Sequence, residues 1–102
     1  MKLEIITKKI ELTDYVRKLI DTKLVPKIAK LLRAFEDDEK IATVRLTTRS
    51  RWGYKVSLSM YLPGKVLIYG VEVHKDLQAA IVNLREEVVR QIKEYKEKRG
   101  SN

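Results

Sequence analysis

The chain has no cysteine, one histidine, one tryptophan and two prolines. Without cysteine, neither a disulfide framework nor a thiolate zinc site is available, which fits a reducing cytoplasm as the expected compartment. His74 alone, with no convergent acid cluster, cannot assemble a metal site. No Ser/His/Asp or Cys/His set is present, and no glycine loop cradles a phosphate. The expectation is therefore a non-enzyme with no cofactor, no metal and no small-molecule substrate. Long hydrophobic runs are missing as well. The longest, Val66 to Ile68 extended by Tyr69, Gly70 and Val71, is far too short to span a bilayer, so no membrane partner is expected. The opening MKLEIITKKIEL has charges interrupting every apolar run and does not read as a signal peptide. One further absence is local. No Asp or Glu occurs from Lys40 through Val71, while Lys40, Arg45, Arg49, Arg51, Lys55 and Lys65 all fall within that stretch.

What is present suffices for one small domain over residues 1–102. A domain of that length buries roughly 65% of its unfolded surface on folding. With 44% hydrophobic residues it builds a core without staples. Lys and Arg total 22 against 14 acids, a net charge of +8. Net charge speaks to partners rather than to fold, and a basic surface on a small domain with no membrane-inserting face points first to nucleic acid.

Residues 2–8 alternate weakly, Leu3 and Ile5 against Lys2 and Glu4, as a short strand does. Thr13 offers a hydroxyl N-cap and Asp14 a first-turn carboxylate. Val16, Leu19, Ile20, Leu24, Ile28, Leu31, Leu32 and Phe35 then recur at helical spacing. Pro26 removes the amide that would bond the Thr22 carbonyl, which predicts a kink or break near Val25. The acidic Glu36–Glu39 reads as a loop.

Ala42, Val44, Leu46 and Thr48 alternate with Thr43, Arg45, Thr47 and Arg49; Tyr54, Val56, Leu58, Met60 and Leu62 alternate with Lys55, Ser57, Ser59 and Tyr61. Both are strands with one buried and one wet face. Leu62-Pro-Gly-Lys65 is placed as a type II turn, which splays hairpin strands and so implies a bulge or longer loop. A fourth strand runs from Val66 to Val73, and His74 ends it. From the Asp76 cap, Leu77, Ala80, Ile81, Leu84, Val88, Ile92 and Tyr95 form one helical stripe reaching Lys98, with Gly100-Ser-Asn expected to fray. The fold class is α+β, β-α-β-β-β-α, a four-stranded sheet with two helices on one face. Tyr15, Met60 and Tyr95 are expected in the core.

The stretch Arg49-Ser-Arg-Trp-Gly-Tyr-Lys55 carries the strongest binding signal. Arg45, Arg49, Arg51 and Lys55 can face phosphates, and Trp52 or Tyr54 can stack on an unpaired base. Its bland counterpart is a solvated hairpin whose Trp52 caps the core edge. On the last helix, Glu86, Arg90, Glu94 and Lys98 read as an i, i+4 ladder, leaving Arg85, Lys93, Lys96 and Arg99 without obvious partners, and Arg85, Lys93 and Lys96 are further candidates for RNA contact. Lys27, Lys30 and Arg33 are equally a wet face.

The segment His74-Lys-Asp-Leu-Gln-Ala-Ala-Ile81, followed by Arg90-Gln-Ile-Lys-Glu-Tyr-Lys-Glu-Lys98, resembles the H-E-D-M-Y-A-A-I segment, the R-Q-L and the lysine-rich helix end of the ribosome hibernation-promoting factors. These are also called ribosome-associated inhibitors, S30EA proteins or sigma-54 modulation proteins. Ile10-Glu-Leu-Thr-Asp-Tyr-Val-Arg17 resembles that family's I-E-I-T-P-A-L-R. The likeness covers nearly the whole chain, and the family's double-stranded-RNA-binding-domain-like fold has the same element order. It implies a partner, the small ribosomal subunit with its 16S-type rRNA and neighbouring ribosomal proteins. Binding in the decoding region would exclude mRNA and tRNA and stop translation under stress. It also implies rRNA contacts at Arg17, Lys23 and Arg90, which match basic positions of the family. The sequence departs from the pattern at Glu87 and Glu94, where the family has lysines, and at Gln78, where it has an aromatic. Its first helix is about one turn longer, with Pro26 in the added turn. The chain stops soon after the second helix, so a short form without an extra C-terminal domain or acidic tail is expected.

Two other RNA modules fit less well. An RNA-recognition motif closes with a strand, whereas this chain ends in a helix. A KH domain needs a G-x-x-G loop, which is absent. A general module for double-stranded or structured RNA, or a basic module holding an acidic protein, is the alternative.

Overall fold

The computed structural model describes residues 2–33, 35, 41–49, 51 and 53–100, the side chains of 99 and 100 excepted. The chain opens with β1 (Lys2–Lys8), then a helical path of α1 (Asp14–Leu19), a π-helical turn (Ile20–Leu24) and α2 (Val25–Leu31). β2 (Ile41–Arg49), β3 (Gly53–Leu62), β4 (Val66–His74) and α3 (Leu77–Gly100) follow. The α+β order is the expected one. The sheet runs β1-β2-β3-β4, with β1 parallel to β2 and the other pairs antiparallel.

Local chemistry explains most boundaries. The Val16 amide donates to Thr13 Oγ1 at 3.2 Å. That bond starts α1 as the hydroxyl cap predicts. Pro26 does not break the path. The backbone stays right-handed helical at Leu19, Ile20, Leu24 and Val25, and the Val25 amide reaches back five residues to the Ile20 carbonyl. The wider π turn lets Pro26 fall in the first turn of α2, where a missing amide is harmless. The kink or break expected near Val25 thus takes the form of a change of winding at that residue. At the β3–β4 connection, Leu62 pairs with Val66 around three residues, and Gly64 (φ +87°) and Lys65 (φ +61°) both adopt left-handed backbone. The longer loop relieves the splay that a bare type II turn would impose. His74 ends β4 as expected: its Nδ1 accepts the Asp76 amide at 2.9 Å, and Asp76 Oδ2 accepts the Ala79 amide at 3.2 Å to cap α3.

The core lies between the helices and one sheet face. Ile20, Leu24, Ile28 and Leu32 meet Ile81, Leu84, Val88 and Ile92 above Val44, Leu46, Val56, Leu58 and Met60. Each such side chain contributes roughly 1.5–3 kcal/mol by leaving water. At Gly70 the sheet has no side chain, so α3 comes close: an added Cβ would sit 3.0 Å from Leu84 Cδ1. Tyr95 is buried and its hydroxyl donates to the Pro63 carbonyl at 2.8 Å, while its ring meets Phe35 edge-on at 6.2 Å. Tyr15 does not join the core; it is 63% exposed. One residue is about 100° of helix, which turns Tyr15 off the Val16–Ile20–Leu24 stripe. α3 continues as helix through Gly100, past the expected end at Lys98. The acidic Glu36–Glu39, Lys40, Ser101 and Asn102 lie outside the described residues.

Candidate nucleic-acid interface

With the helices on one face, the alternate residues of every strand fall on the other, open face. Register fixes what stands there. Arg45 lies between Ile6 of β1 and Ser57 of β3; Thr47 lies between Lys8 and Lys55; Arg49 pairs with Gly53. Arg51 is exposed in the turn beyond Arg49. Lys8, Arg45, Arg49, Arg51 and Lys55 are all exposed, and none has an ion-pair partner among the described residues. Glu4, at the far end of β1, is the acid that shares this face. Trp52 lies outside the described residues.

Lys8 joins this cluster, although no local sequence pattern singles it out. Its parity with Lys2 and Glu4 marked it as solvent-facing, but only the parallel pairing of β1 sets it beside Thr47.

The remaining basic candidates, Arg17, Lys23, Arg85, Arg90, Lys93 and Lys96, belong to the helical layer on the opposite side of the sheet. The candidates therefore form two groups. Arg17, Lys23 and Lys93 are exposed. The other three have internal partners, contrary to the expectation for Arg85 and Lys96. Arg85 donates from Nη2 to Glu86 Oε1 at 2.6 Å and from Nη1 to the Lys23 carbonyl at 3.3 Å, stitching α3 to the π turn. Lys96 Nζ donates to the Leu31 carbonyl at 2.6 Å, where the last turn of α2 leaves acceptors without helical donors.

The expected ladder is also rearranged. Arg90 does not pair with Glu86. It forks onto Glu87, Nε to Oε1 at 3.2 Å and Nη2 to Oε2 at 2.7 Å, and reaches Glu94 Oε1 from Nη1 at 2.6 Å. Glu86 turns instead to Arg85 and, at 3.6 Å, to Lys27 Nζ. The Arg85 hydrogen bond holds the Glu86 carboxyl below its ordinary value, and the Arg90 hydrogen bond does the same for Glu87. Glu87 in turn raises Arg90. Glu87 and Glu94, two acids on the same helix, are thus the groups that clamp Arg90.

Gln91, next to that arginine, closes the outer edge of β4. The Tyr69 amide donates to Gln91 Oε1 at 3.1 Å, and Gln91 Nε2 donates to the Tyr69 carbonyl at 2.6 Å. Gln91 Nε2 also lies 2.6 Å from Glu87 Oε2, tying this contact to the arginine clamp. A side-chain amide bonded both ways to one residue mimics a neighbouring strand and blunts an edge otherwise open to pairing.

Among the described residues, no group of three or more His, Asp or Glu could hold a metal ion. No described helix is long and apolar enough to cross a membrane. What the molecule offers is a charged, partly apolar sheet face and a helical layer in which Lys27, Arg85 and Arg90 are paired with acids while Arg17, Lys23 and Lys93 are exposed.

Known proteins resemble the chain in sequence and in fold. A family model described as "Sigma 54 modulation protein / S30EA ribosomal protein" matches residues 3–100. The N-terminal domain of Thermus thermophilus Protein Y is similar in structure, with a TM-score of 0.73 and 28% identity over 93% of this chain and 99% of that one. A ribosomal subunit interface protein from Coxiella burnetii shares the fold, with a TM-score of 0.71 and 17% identity over 94% of this chain and 98% of that one. No curated protein matches the sequence significantly.

Proposed function

Because the chain belongs to the sigma 54 modulation protein / S30EA ribosomal protein family, we propose that it is a ribosome hibernation factor. In this reading residues 1–102 act as one ribosome-binding domain in the cytoplasm. It occupies the decoding region of the small subunit, keeps mRNA and tRNA out, and inhibits translation under stress without catalysing a reaction. The observation that carries the reading is the row of Lys8, Arg45, Arg49, Arg51 and Lys55 on the open face and hairpin tip, without ion-pair partners among the described residues. Such cations displace counterions from rRNA phosphates, so affinity falls with salt. Trp52, within the same stretch, is proposed to stack on an unpaired base, and Arg17, Lys23 and Lys93 supply a second, weaker set from the helical layer. Arg85, Arg90 and Lys96 have first to give up internal partners, and their rRNA contacts are secondary.

Co-sedimentation on sucrose gradients tests this. Purified protein should travel with small subunits and whole ribosomes, and the Arg49→Ala/Arg51→Ala/Lys55→Ala variant should remain at the top. Wild-type protein absent from the ribosomal fractions, or affinity unchanged between about 50 and 200 mM salt, contradicts the reading.

A further inference from the structure

The open sheet face is not only basic. Tyr61 is 61% exposed and Tyr69 48%, and both stand on this face with Ile6, Leu67, Val71 and Val73, each at least 40% exposed. Tyr69 lies opposite Ser59 and Tyr61 opposite Leu67, which makes the two tyrosines diagonal neighbours on adjacent strands. Diagonal pairs of this kind are about 7 to about 8 Å apart at Cα. Their rings do not pack on each other or on another described ring. Cross-strand rows follow each other about 6.8 Å apart along the strands. One row beyond Tyr69 comes Arg45, and one further come Lys55 and Lys8. The aromatic and cationic ends therefore lie within about 20 Å. Between them a shallow basin of about 370 Å³ has Ser57 in its floor and Lys8, Arg45, Lys55 and Tyr69 on its rim.

We propose that this face binds an unpaired RNA strand, with bases on Tyr61 and Tyr69 and phosphates on Arg45, Lys55 and Lys8. The inference rests on the reading of this face as the RNA-facing one and names the form of RNA it takes. Charge complementarity selects a polyanion, since among the described residues of this face five cations meet one acid: Lys2, Lys8, Arg45, Arg49 and Lys55 against Glu4. The tyrosines select between polyanions. In a duplex the base faces are already stacked, and an acidic polypeptide has none to offer. An unpaired strand presents both base faces and phosphates, and aromatic groups on an open sheet are suited to that combination. Ser57, Ser59, Thr43 and Thr47 fill the middle of the face with short hydroxyl side chains, which leave a strand room to lie flat and can hydrogen-bond to it.

The test is fluorescence anisotropy with a labelled 12-nucleotide oligouridylate, the same strand paired with oligoadenylate, and labelled polyglutamate. Tyr61→Ala/Tyr69→Ala should weaken single-strand binding by about fivefold or more for each ring lost. Tyr61→Phe/Tyr69→Phe should keep it within about twofold, because stacking uses the ring and not the hydroxyl. The duplex should bind more weakly than the single strand and respond little to the alanine pair. Melting curves check that every variant is folded, as the exposure of both rings leads one to expect. Three results would overturn the proposal: alanine and wild-type proteins binding oligouridylate alike, a preference for the duplex, or polyglutamate binding that depends on the tyrosines while oligouridylate binding does not. Co-sedimentation with small subunits separates this proposal from the ribosome reading. Wild-type protein that binds ribosomes but holds oligouridylate without using the tyrosines refutes the stacking face alone. Protein that holds oligouridylate through the tyrosines yet stays off ribosomes refutes the ribosome reading alone.

Discussion

Replacing Gly53 by alanine should damage the molecule far more than the same change at Gly64, although the two residues share a backbone conformation. Gly53 has φ +91° and Gly64 φ +87°. Each alanine therefore incurs the left-handed penalty, about 1 to about 2 kcal/mol. Around Gly64 nothing lies within 4 Å of a new Cβ. At Gly53 the Cβ would come within 2.5 Å of both the His74 carbonyl oxygen and Lys75 Cα. Both are backbone atoms at the junction of β4 and α3, and no side-chain rotation relieves the overlap. Moving that junction adds about 1–3 kcal/mol, as overpacking does elsewhere. A domain of this size loses about 4–8 °C of melting temperature per kcal/mol. Gly64→Ala should therefore lower the melting point by about 4–16 °C, and Gly53→Ala by roughly twice as much or more. Circular dichroism melts at equal protein concentration provide the comparison. Equal shifts for the two variants would refute the reasoning, because they would mean that the close approach at Gly53 does not cost what the geometry says.

Three further outcomes are expected. Gln91→Ala removes both hydrogen bonds to Tyr69 and bares the edge of β4, so light scattering should show concentration-dependent self-association that wild-type protein lacks. Glu87→Gln/Glu94→Gln frees Arg90 from its clamp and should tighten ribosome binding, steepening the log–log salt dependence by about 0.7 if one single-strand phosphate is gained. The sign in acid is the same. The Glu87 carboxyl titrates below its ordinary 4.5, so the pair's small contribution to stability is present above that value and lost as pH falls through the lowered one. Lys96→Met deletes the bond to the Leu31 carbonyl and should cost about 0.5–1 kcal/mol of stability in urea titrations, while ribosome affinity changes by less than about twofold.

Sequence patterns reveal local features well and long-range partners poorly. The alternation in β2 and β3, the Thr13 and Asp76 caps and the stripe of α3 each follow from neighbours a few residues apart, and all are present. The missing amide of Pro26 locates the interruption near Val25 but not its form, because burial of Ile20, Leu24 and Ile28 holds the path together through a π turn. Arg85 and Lys96 look unpartnered because the carbonyls they bond, those of Lys23 and Leu31, lie 62 and 65 residues away in sequence. Lys8 enters the candidate site only through the parallel pairing of β1 with β2, which no local pattern announces. The open face of β4 is hidden for a different reason. Val66, Leu67, Ile68, Tyr69, Val71 and Val73 are apolar on both faces, so the period-two signal that identifies a wet face is erased.

The measurement that bears most directly on the central claim is occupancy of the small subunit by labelled mRNA, with initiator tRNA present, as this protein is titrated in. One equivalent of protein per subunit should prevent mRNA from binding, and the Arg49→Ala/Arg51→Ala/Lys55→Ala variant should require a large excess to do so. Subunits that carry mRNA and the protein together would contradict the claim, whatever affinity the protein shows for ribosomes.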